Sequence, residues 1–565
     1  MFIKLLPVKK KTDHLVYLVQ GYRDKNNKVK HRKIKSYGYL SELQAKDPHI
    51  LETLRAQAKT MKHEDVLTTL TLDVTLNKQK QGQLTPKNYG YTFLEALYHQ
   101  LKIPSFITRY SEGRAFQYDL DAILKLLVFS RALNPESKKK THQNQADYFF
   151  ELTEASLSDV YRSLGELTLL KDDLMVHLNE ALKDQGLRDA SLVFYDVTNY
   201  YFESDHTDGF REKGVSKEKK NTGIVQMGLF IDAKGIPITY ELFPGNTHDL
   251  STMRPILEKI KRQFNLGKLT IVADKGNNSG KNLALIDTYG DDYIIAQKIR
   301  GRGNRIANIV LDDEGYQMNA EGTFKHKLVR CDRTVTLEDG TTQTITEHLM
   351  CFWSLKEARY QKAKRGLLDE KIEHYLENPS LLNASNSFGV KKYFKALNLD
   401  PHTGEVLKGD KVYTFDDAKY ARDGSLDGYY ALVTNNLEMH PLEIIKHYRQ
   451  LASIEESFKV TKSDLEGRPI YVWKEAHIKG HFLTCYLALL LYRVLQTKLD
   501  QPYPVHQLKE ALKSANVVEL DKGLIMILDQ RYPFSEIARS FKVDYDTDYM
   551  TIEQFKQAMQ QTIKV

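Results

Sequence analysis

Hydrophobic and polar positions along this chain repeat with two different periods, and the changes of period divide it. HLVYLVQGYRD (14–24) and VKHRKIKSYGYL (29–40) alternate as strands do, and the turn-like Lys25-Asn26-Asn27-Lys28 between them predicts a hairpin with a basic second strand. From Tyr91 to about Gly186 the period lengthens. Phe93, Leu94, Leu97 and Leu101 recur at helical spacing, as do Ile123, Leu124, Leu127 and Val128. Ser156 offers an N-cap and Gly165 a stop, while Ser137–His142 reads as a basic loop between helices. Leu192–Glu203, LVFYDVTNYYFE, is so rich in aromatic and β-branched residues that it predicts a strand too apolar to face water.

The pattern after that strand is regular. Following a charged hairpin loop (206–221), Gly223–Asp232 and Pro237–Phe243 read as strands turned by Ala233-Lys234-Gly235. A helix over Ser251–Phe264, a strand Leu269–Ala273 ending on Asp274, a helix opened by residues 275–280 and a strand Tyr293–Gln297 come next. Between about 300 and 427 the periodicity loosens into short strands (Lys327–Cys331, Thr341–Thr346, Leu349–Trp353, Lys411–Phe415) around one basic helix, Leu355–Leu376. Gly428–Thr434 restores a buried strand, followed by a helix Leu442–Lys462 and a very apolar helix Ile478–Leu495. The expected segments are therefore 1–85 (β-hairpin, possible DNA contact), 86–190 (helical, DNA-binding), 191–300 and 428–500 (two parts of one α/β core), 301–427 (a strand-rich insertion) and 501–565 (a tail).

Composition changes this picture little. At 565 residues several domains fit, and a net charge of +7 permits a nucleic-acid partner without requiring one. Cys331, Cys351 and Cys485 lie far apart, which argues against a zinc site or a disulfide framework and for a reducing compartment. The apolar run before the first lysines is too short for a secretory signal, and Phe482–Tyr492 is too short for a membrane span, so a cytoplasmic protein is expected.

Three carboxylates stand out against this pattern. Asp196 sits in the middle of the most apolar strand, where a carboxylate is costly unless paired, hydrogen-bonded or bound to a cation. Asp274 ends a strand that precedes a helix, the place where open α/β sheets put their ligands. Glu455 shares a helical stripe with Ile444, Tyr448, Leu451, Phe458 and Lys462, whereas Glu456 faces about 100° away. The order strand, strand, strand, helix, strand, helix, strand resembles the ribonuclease H-like fold: a mixed five-stranded sheet with flanking helices, in which the first and fourth strands lie side by side. Asp196 and Asp274 could then converge on one cation. His248, His477 and His481 lack partners at ligand spacing.

Five segments in order, FYDVTNYYFE, PGNTHDLSTM, VADKGNNSG, DGYYALVTN and YRQLASIEESFKVTK, resemble the bacterial insertion-sequence DDE transposases whose catalytic helix carries a tyrosine-arginine-glutamate-lysine signature. The resemblance implies that Asp196, Asp274 and Glu455 are the catalytic, metal-binding positions for Mg2+ (Mn2+ able to substitute), with two ions. It implies that Tyr448 and Lys462 hold end phosphates. The signature's arginine position is Leu451 here, and Arg449, the nearby candidate contact, lies about 200° round the helix from it. It further implies terminal inverted repeats and target DNA as double-stranded partners, hydrolysis at the element ends, transfer of the 3′-hydroxyl to target, a homodimer in the synaptic complex, no membrane, and a bacterial cytoplasmic, nucleoid-associated location. Some relatives pass through a hairpin intermediate, for which Trp473 would be a stacking ring or else a core residue. Two alternatives stay open: another ribonuclease H-like DNA nuclease, and a catalytically inactive transposase-derived DNA-binding protein.

Overall fold

The computed structural model describes residues 2–7, 13–23, 29–60, 85–149, 154–214, 222–301, 305–337, 339–377, 389–399, 406–520 and 523–564. They belong to two compact units, Met1–Gln83 and Leu84–Val565. The first unit is a three-stranded antiparallel sheet, Phe2–Pro7, His14–Arg23 and Val29–Tyr39, followed by helices Leu40–Lys46 and Ile50–Thr60. The expected hairpin pairs Leu15 with Tyr39 and Arg23 with Val29; its turn, 25–28, lies outside the described residues. Among its described residues, Val16, Leu18 and Val19 from the sheet and Leu54 and Ala58 from the second helix are buried.

The second unit is mixed α/β, built on one large sheet. Its strands are β1 (Leu192–Tyr201), β2 (Ile224–Asp232), β3 (Pro237–Pro244), β4 (Thr270–Ala273), β5 (Asp292–Ala296), β6 (Gln317–Met318), β7 (Phe324–Thr336), β8 (Thr342–Ser354) and β9 (Tyr429–Thr434), in the order β6-β7-β8-β9-β5-β4-β1-β2-β3. The β1–β4 and β4–β5 pairs are parallel and every other pair is antiparallel. The sheet thus has nine strands where five were expected, because β9 joins β5 and brings the β7–β8 hairpin of the 301–427 stretch with it. The sequence reading split β8 at Glu347 and His348. Glu347 is buried, but Tyr293 Oη (2.5 Å) and Arg333 Nε (2.8 Å) donate to its carboxylate, so the strand runs through. Of the expected loop 206–221, residues 215–221 lie outside the described residues, and Glu212 bridges to Ile224.

Seven helices matter for the site: α1 (Leu120–Leu133), α2 (Leu157–Asp184), α3 (Asp249–Gln263), α4 (Gly280–Thr288), α5 (Pro441–Arg449), α6 (Ala452–Lys459) and α7 (Glu475–Thr497). Ser156 caps α2 in a reciprocal pair with Asp159 as expected, but Gly165 does not end it. A glycine costs a helix interior about 1 kcal/mol, and the buried row Val160, Leu164, Leu167, Leu170, Leu174, Leu178 outweighs that. The basic helix expected over Leu355–Leu376 is two, Leu355–Gly366 and Asp369–Glu377. Strands Asn516–Leu520, Leu524–Ile527 and Tyr549–Thr551 form a small sheet with Lys87–Asn88.

Two close approaches set the packing. On β2, a Cβ at Gly228 would lie 2.7 Å from Tyr195 Oη, so the glycine makes room for the Tyr195 ring, whose hydroxyl donates to Thr252 of α3 (2.7 Å). Tyr195 therefore faces α3, and by strand alternation Asp196 faces the opposite side, where α6 packs on β1. At the crossing of α7 with α2, a Cβ at Gly480 would lie 2.3 Å from the Leu164 carbonyl oxygen. Asn179 of α2 (2.8 Å) and Tyr486 of α7 (3.0 Å) both donate to the carbonyl of Ile238, so the outermost strand β3 is covered by side chains.

The basic loop expected at Ser137–His142 is a short helix, Lys138–Gln143, capped by Ser137, and its first residue, Lys138, is buried. Burial, and then the neighbouring Arg131 guanidinium, push the Lys138 ammonium down to about 7. Helix Glu475–Thr497 is long and apolar enough by composition to cross a membrane, yet it is almost wholly buried in the core.

Gly480→Ala should destabilise the protein by about 1–3 kcal/mol, the cost of forcing atoms into a packed contact, as measured by urea unfolding. The second expectation concerns pH. Between about pH 7 and the ordinary lysine range the unfolded chain binds a proton at Lys138 that the folded chain does not, so this residue makes stability rise with pH there. In amine buffers at low salt, Lys138→Met should flatten that rise in thermal melts.

Candidate active site

β1 is buried along almost its whole length, and its half-buried interior position is Asp196. The strand register fixes its neighbour. Tyr195 pairs with Ala273 across the parallel β1–β4 ladder, so Asp196 and Asp274 are the next residues on adjacent strands, both at the carboxyl end of β4. Asp274 is itself an N-cap: its Oδ1 accepts from the Lys275 amide at 2.5 Å and starts the single turn Lys275–Asn277. Ser279 then caps α4 by accepting from the Asn282 amide at 3.1 Å.

The helix expected over Leu442–Lys462 is in three pieces. α5 and α6 meet at Gln450–Leu451, where the amides of Gln450, Leu451, Ser453 and Ile454 bond three residues back instead of four. After α6 the chain widens through Val460–Asp464, with the Leu465 amide reaching back five residues to Val460 (2.9 Å). The even stripe assumed from spacing is therefore not kept. Leu451 packs half-buried against the core, Glu455 is exposed on α6, and Arg449 is exposed at the end of α5. Lys462 lies on the wide turn with its Nζ 5.5 Å from the centre of the Tyr200 ring. The Tyr200 hydroxyl is 2.7 Å from Thr461 Oγ1, which ties the turn to the end of β1.

Tyr448, half-buried on α5, reports what surrounds it. Its hydroxyl is held well above the usual phenol range, first by burial and then by the charges of Asp274 and Glu455, the Tyr430 phenol and Asp196. All three candidate carboxylates thus act on one phenol. Among the described residues, however, no three of the His, Cys, Asp and Glu side chains close to ligating distance around one point. In kind the donor set suits a hard cation: two half-buried carboxylates at adjacent register and a third on the overlying helix, with no sulfur or imidazole.

Two residues that spacing did not single out hold the helix in place. Arg493, buried in the apolar α7, donates to Glu456 Oε2 (3.1 Å) and to Ser457 Oγ (2.9 Å). The signal was present as a lone cation in YLALLLYRVL, and as a second glutamate next to Glu455. Trp473 is not a core residue: it is 51% exposed, with the Arg211 guanidinium 5.2 Å from its ring centre. The histidines fit structural roles, with His477 tilted against Tyr161 and His481 buried beside Lys138 and Cys485.

The family model described as transposase DDE domain matches residues 188–491, and that described as IS1634 family transposase, N-terminal domain, matches residues 7–66. No curated protein matches. Among solved structures the chain is similar to a piggyBac transposase synaptic complex with hairpin DNA (9% identity, TM-score 0.35, 86% of this chain and 87% of that one). It is also similar to the Mos1 mariner paired end complex with Mn (12% identity, TM-score 0.14, 38% of this chain and 78% of that one). Scores this low carry no argument.

A double-mutant cycle of Glu456→Gln with Arg493→Met should give a coupling of about 1 kcal/mol in urea unfolding, the scale of a half-exposed charged hydrogen bond. A coupling of zero would mean that Glu456 does not anchor α6.

Proposed function

This chain belongs to the DDE transposases of insertion sequences, and on that premise we propose that it cuts DNA at the ends of its own element and joins the freed 3′-hydroxyls to target DNA. In this reading β1–β5 with α3–α6 are a ribonuclease H-like core, and Asp196, Asp274 and Glu455 are its catalytic carboxylates. The observation that carries it is the register of β1 against β4, which sets Asp196, in the middle of β1, beside Asp274 at the carboxyl end of β4, with α6 packed over β1.

The three carboxylates would hold divalent magnesium, or manganese in its place, through hard oxygen donors. Two bound ions would supply activation of the attacking oxygen and stabilisation of the leaving one. The rest falls to this chain's own residues. The Tyr448 hydroxyl is held above the usual phenol range first by burial, so it stays protonated at neutral pH and can donate to a phosphate oxygen. Lys462, held beside Tyr200 on the wide turn, offers a second phosphate contact, while Arg449 is exposed for a more distal one. Leu451, packed on the core, leaves the signature's arginine contact unfilled. Terminal inverted repeats and target DNA are the proposed partners, a homodimer the proposed synaptic assembly, and the bacterial nucleoid the proposed place of action.

The test is cleavage of a labelled duplex carrying the element's own end, with magnesium, by wild type and by Asp196→Ala. The expected result is nicking at the end that EDTA abolishes and that the substitution lowers by about 10²-fold or more, the scale of losing one group that stabilises the transition state. Binding without cleavage by the wild type would favour an inactive, DNA-binding relative. Cleavage that survives Asp196→Ala would place the chemistry elsewhere.

A further inference from the structure

Two neighbouring basic side chains of the second unit are buried without a carboxylate partner among the described residues. Lys138 and Arg131 are 4% and 6% exposed, and among the described residues neither pairs with a carboxylate. Arg131 donates to the carbonyls of Leu465 (3.3 Å), Glu466 (3.3 Å) and Glu136 (2.8 Å), and its Nε has no partner. The Lys138 Nζ lies 3.4 Å from His481 Nδ1, which gives it no charge to meet. A buried ammonium beside a buried guanidinium is the reverse of ordinary practice, in which buried charges are paired.

Both side chains line a cavity of about 80 Å³, together with Arg468 and His481. A polar space of that size holds several waters or one tetrahedral anion. The two acids that also line it do not neutralise the pair. The Glu136 carboxylate is taken by Asn144 (2.8 Å) and Lys140 (3.2 Å), and Glu466 is exposed. The cavity lies where the segment that follows the wide turn crosses the end of α1. One of its lining residues is an exposed ring, Tyr471 (64%). A basic pocket edged by an exposed aromatic ring suits a nucleic-acid strand, whose phosphate takes the charge and whose base meets the ring.

We propose that this cavity, lined by none of Asp196, Asp274 and Glu455, is a phosphate pocket that grips one phosphodiester of a DNA strand running past Tyr471. The anion supplies the negative charge that Lys138 and Arg131 lack. That the phosphate belongs to DNA rests on the transposase reading; that the pocket takes a phosphate does not.

The experiment uses the full chain as wild type, Lys138→Met and, as control, Lys139→Met, which alters an exposed neighbour. Inorganic phosphate should raise the melting temperature of wild type and of Lys139→Met and leave Lys138→Met unmoved. In EDTA, so that no cleavage occurs, duplex binding followed by anisotropy against salt should lose about 0.9 from its log–log slope in Lys138→Met, the loss of one phosphate contact. Lys138→Gln serves if the methionine variant does not fold. An equal phosphate shift in all three proteins would overturn the proposal. So would loss of the phosphate shift with an unchanged slope, which would make the cavity a pocket for free phosphate. A chain that binds no duplex at all would sink the transposase reading itself, and the DNA part of this proposal with it.

Discussion

A helix that is apolar on every side must be covered on every side, and α7 imposes that condition on the second unit. From Ile478 to Leu495 it is almost wholly buried, enclosed by α1, α2, the early helix Tyr91–Gln100, the edge strand β3 and the wide turn after α6. The helical stretch before the sheet and the sheet itself are thus two sides of one core. The polar exceptions on α7 lie where other elements need a fixed point. Arg493 meets Glu456 and Ser457, and so fixes the helix that carries Glu455. His481 meets Lys138 and the Gly467 carbonyl (3.4 Å), behind the segment that leads to Tyr471 and Trp473.

The candidate site follows from the same packing. β1 is buried on both faces, so its register is fixed by pairing on either side, to β2 and to β4. A slip of one residue would turn Asp196 toward α3 and Tyr195 away from Thr252. Gly228 guards against this, since only a residue without a side chain leaves room for the Tyr195 ring. The position of one carboxylate is therefore set by a glycine on the neighbouring strand and a threonine on the opposite face of the sheet.

Much of this was legible in the sequence, and the failures have physical causes. The strands β1–β5, β9 and the apolar α7 were read from runs of β-branched residues and from helical spacing, where burial and propensity agree. The strand β8 was misread because its buried Glu347 looks like a loop residue until Tyr293 and Arg333 are seen to satisfy it. The helix 442–462 was read as continuous because spacing carries no sign of the tightened turn at Gln450–Leu451 or of the wide one at Val460–Asp464. The wide turn is tied by a contact between Thr461 and Tyr200, which are distant in sequence. Lys138 was read as part of a basic loop between helices, since nothing in KKKTH distinguishes the one lysine that turns inward. The likeness to DDE transposases rested on local motifs and was the most secure part of the reading.

The small sheet that joins Lys87–Asn88 to Asn516–Leu520 has a consequence for how the protein is made. Asn88 donates to the Leu512 carbonyl (2.9 Å) and the Tyr89 amide to that of Ala515 (2.9 Å), partners more than 400 positions away in the chain. Closing such a loop is slow and cannot begin until its far side exists. On the ribosome, the start of the second unit must therefore wait for nearly the whole of that unit to emerge. An interrupted translation product leaves the Tyr89, Tyr91 and Phe93 rings, which are buried in the complete fold, without the late residues Phe534, Tyr545 and Phe555 that pack against Tyr89. Such a fragment therefore shows apolar rings to water and proteases that the finished chain keeps covered.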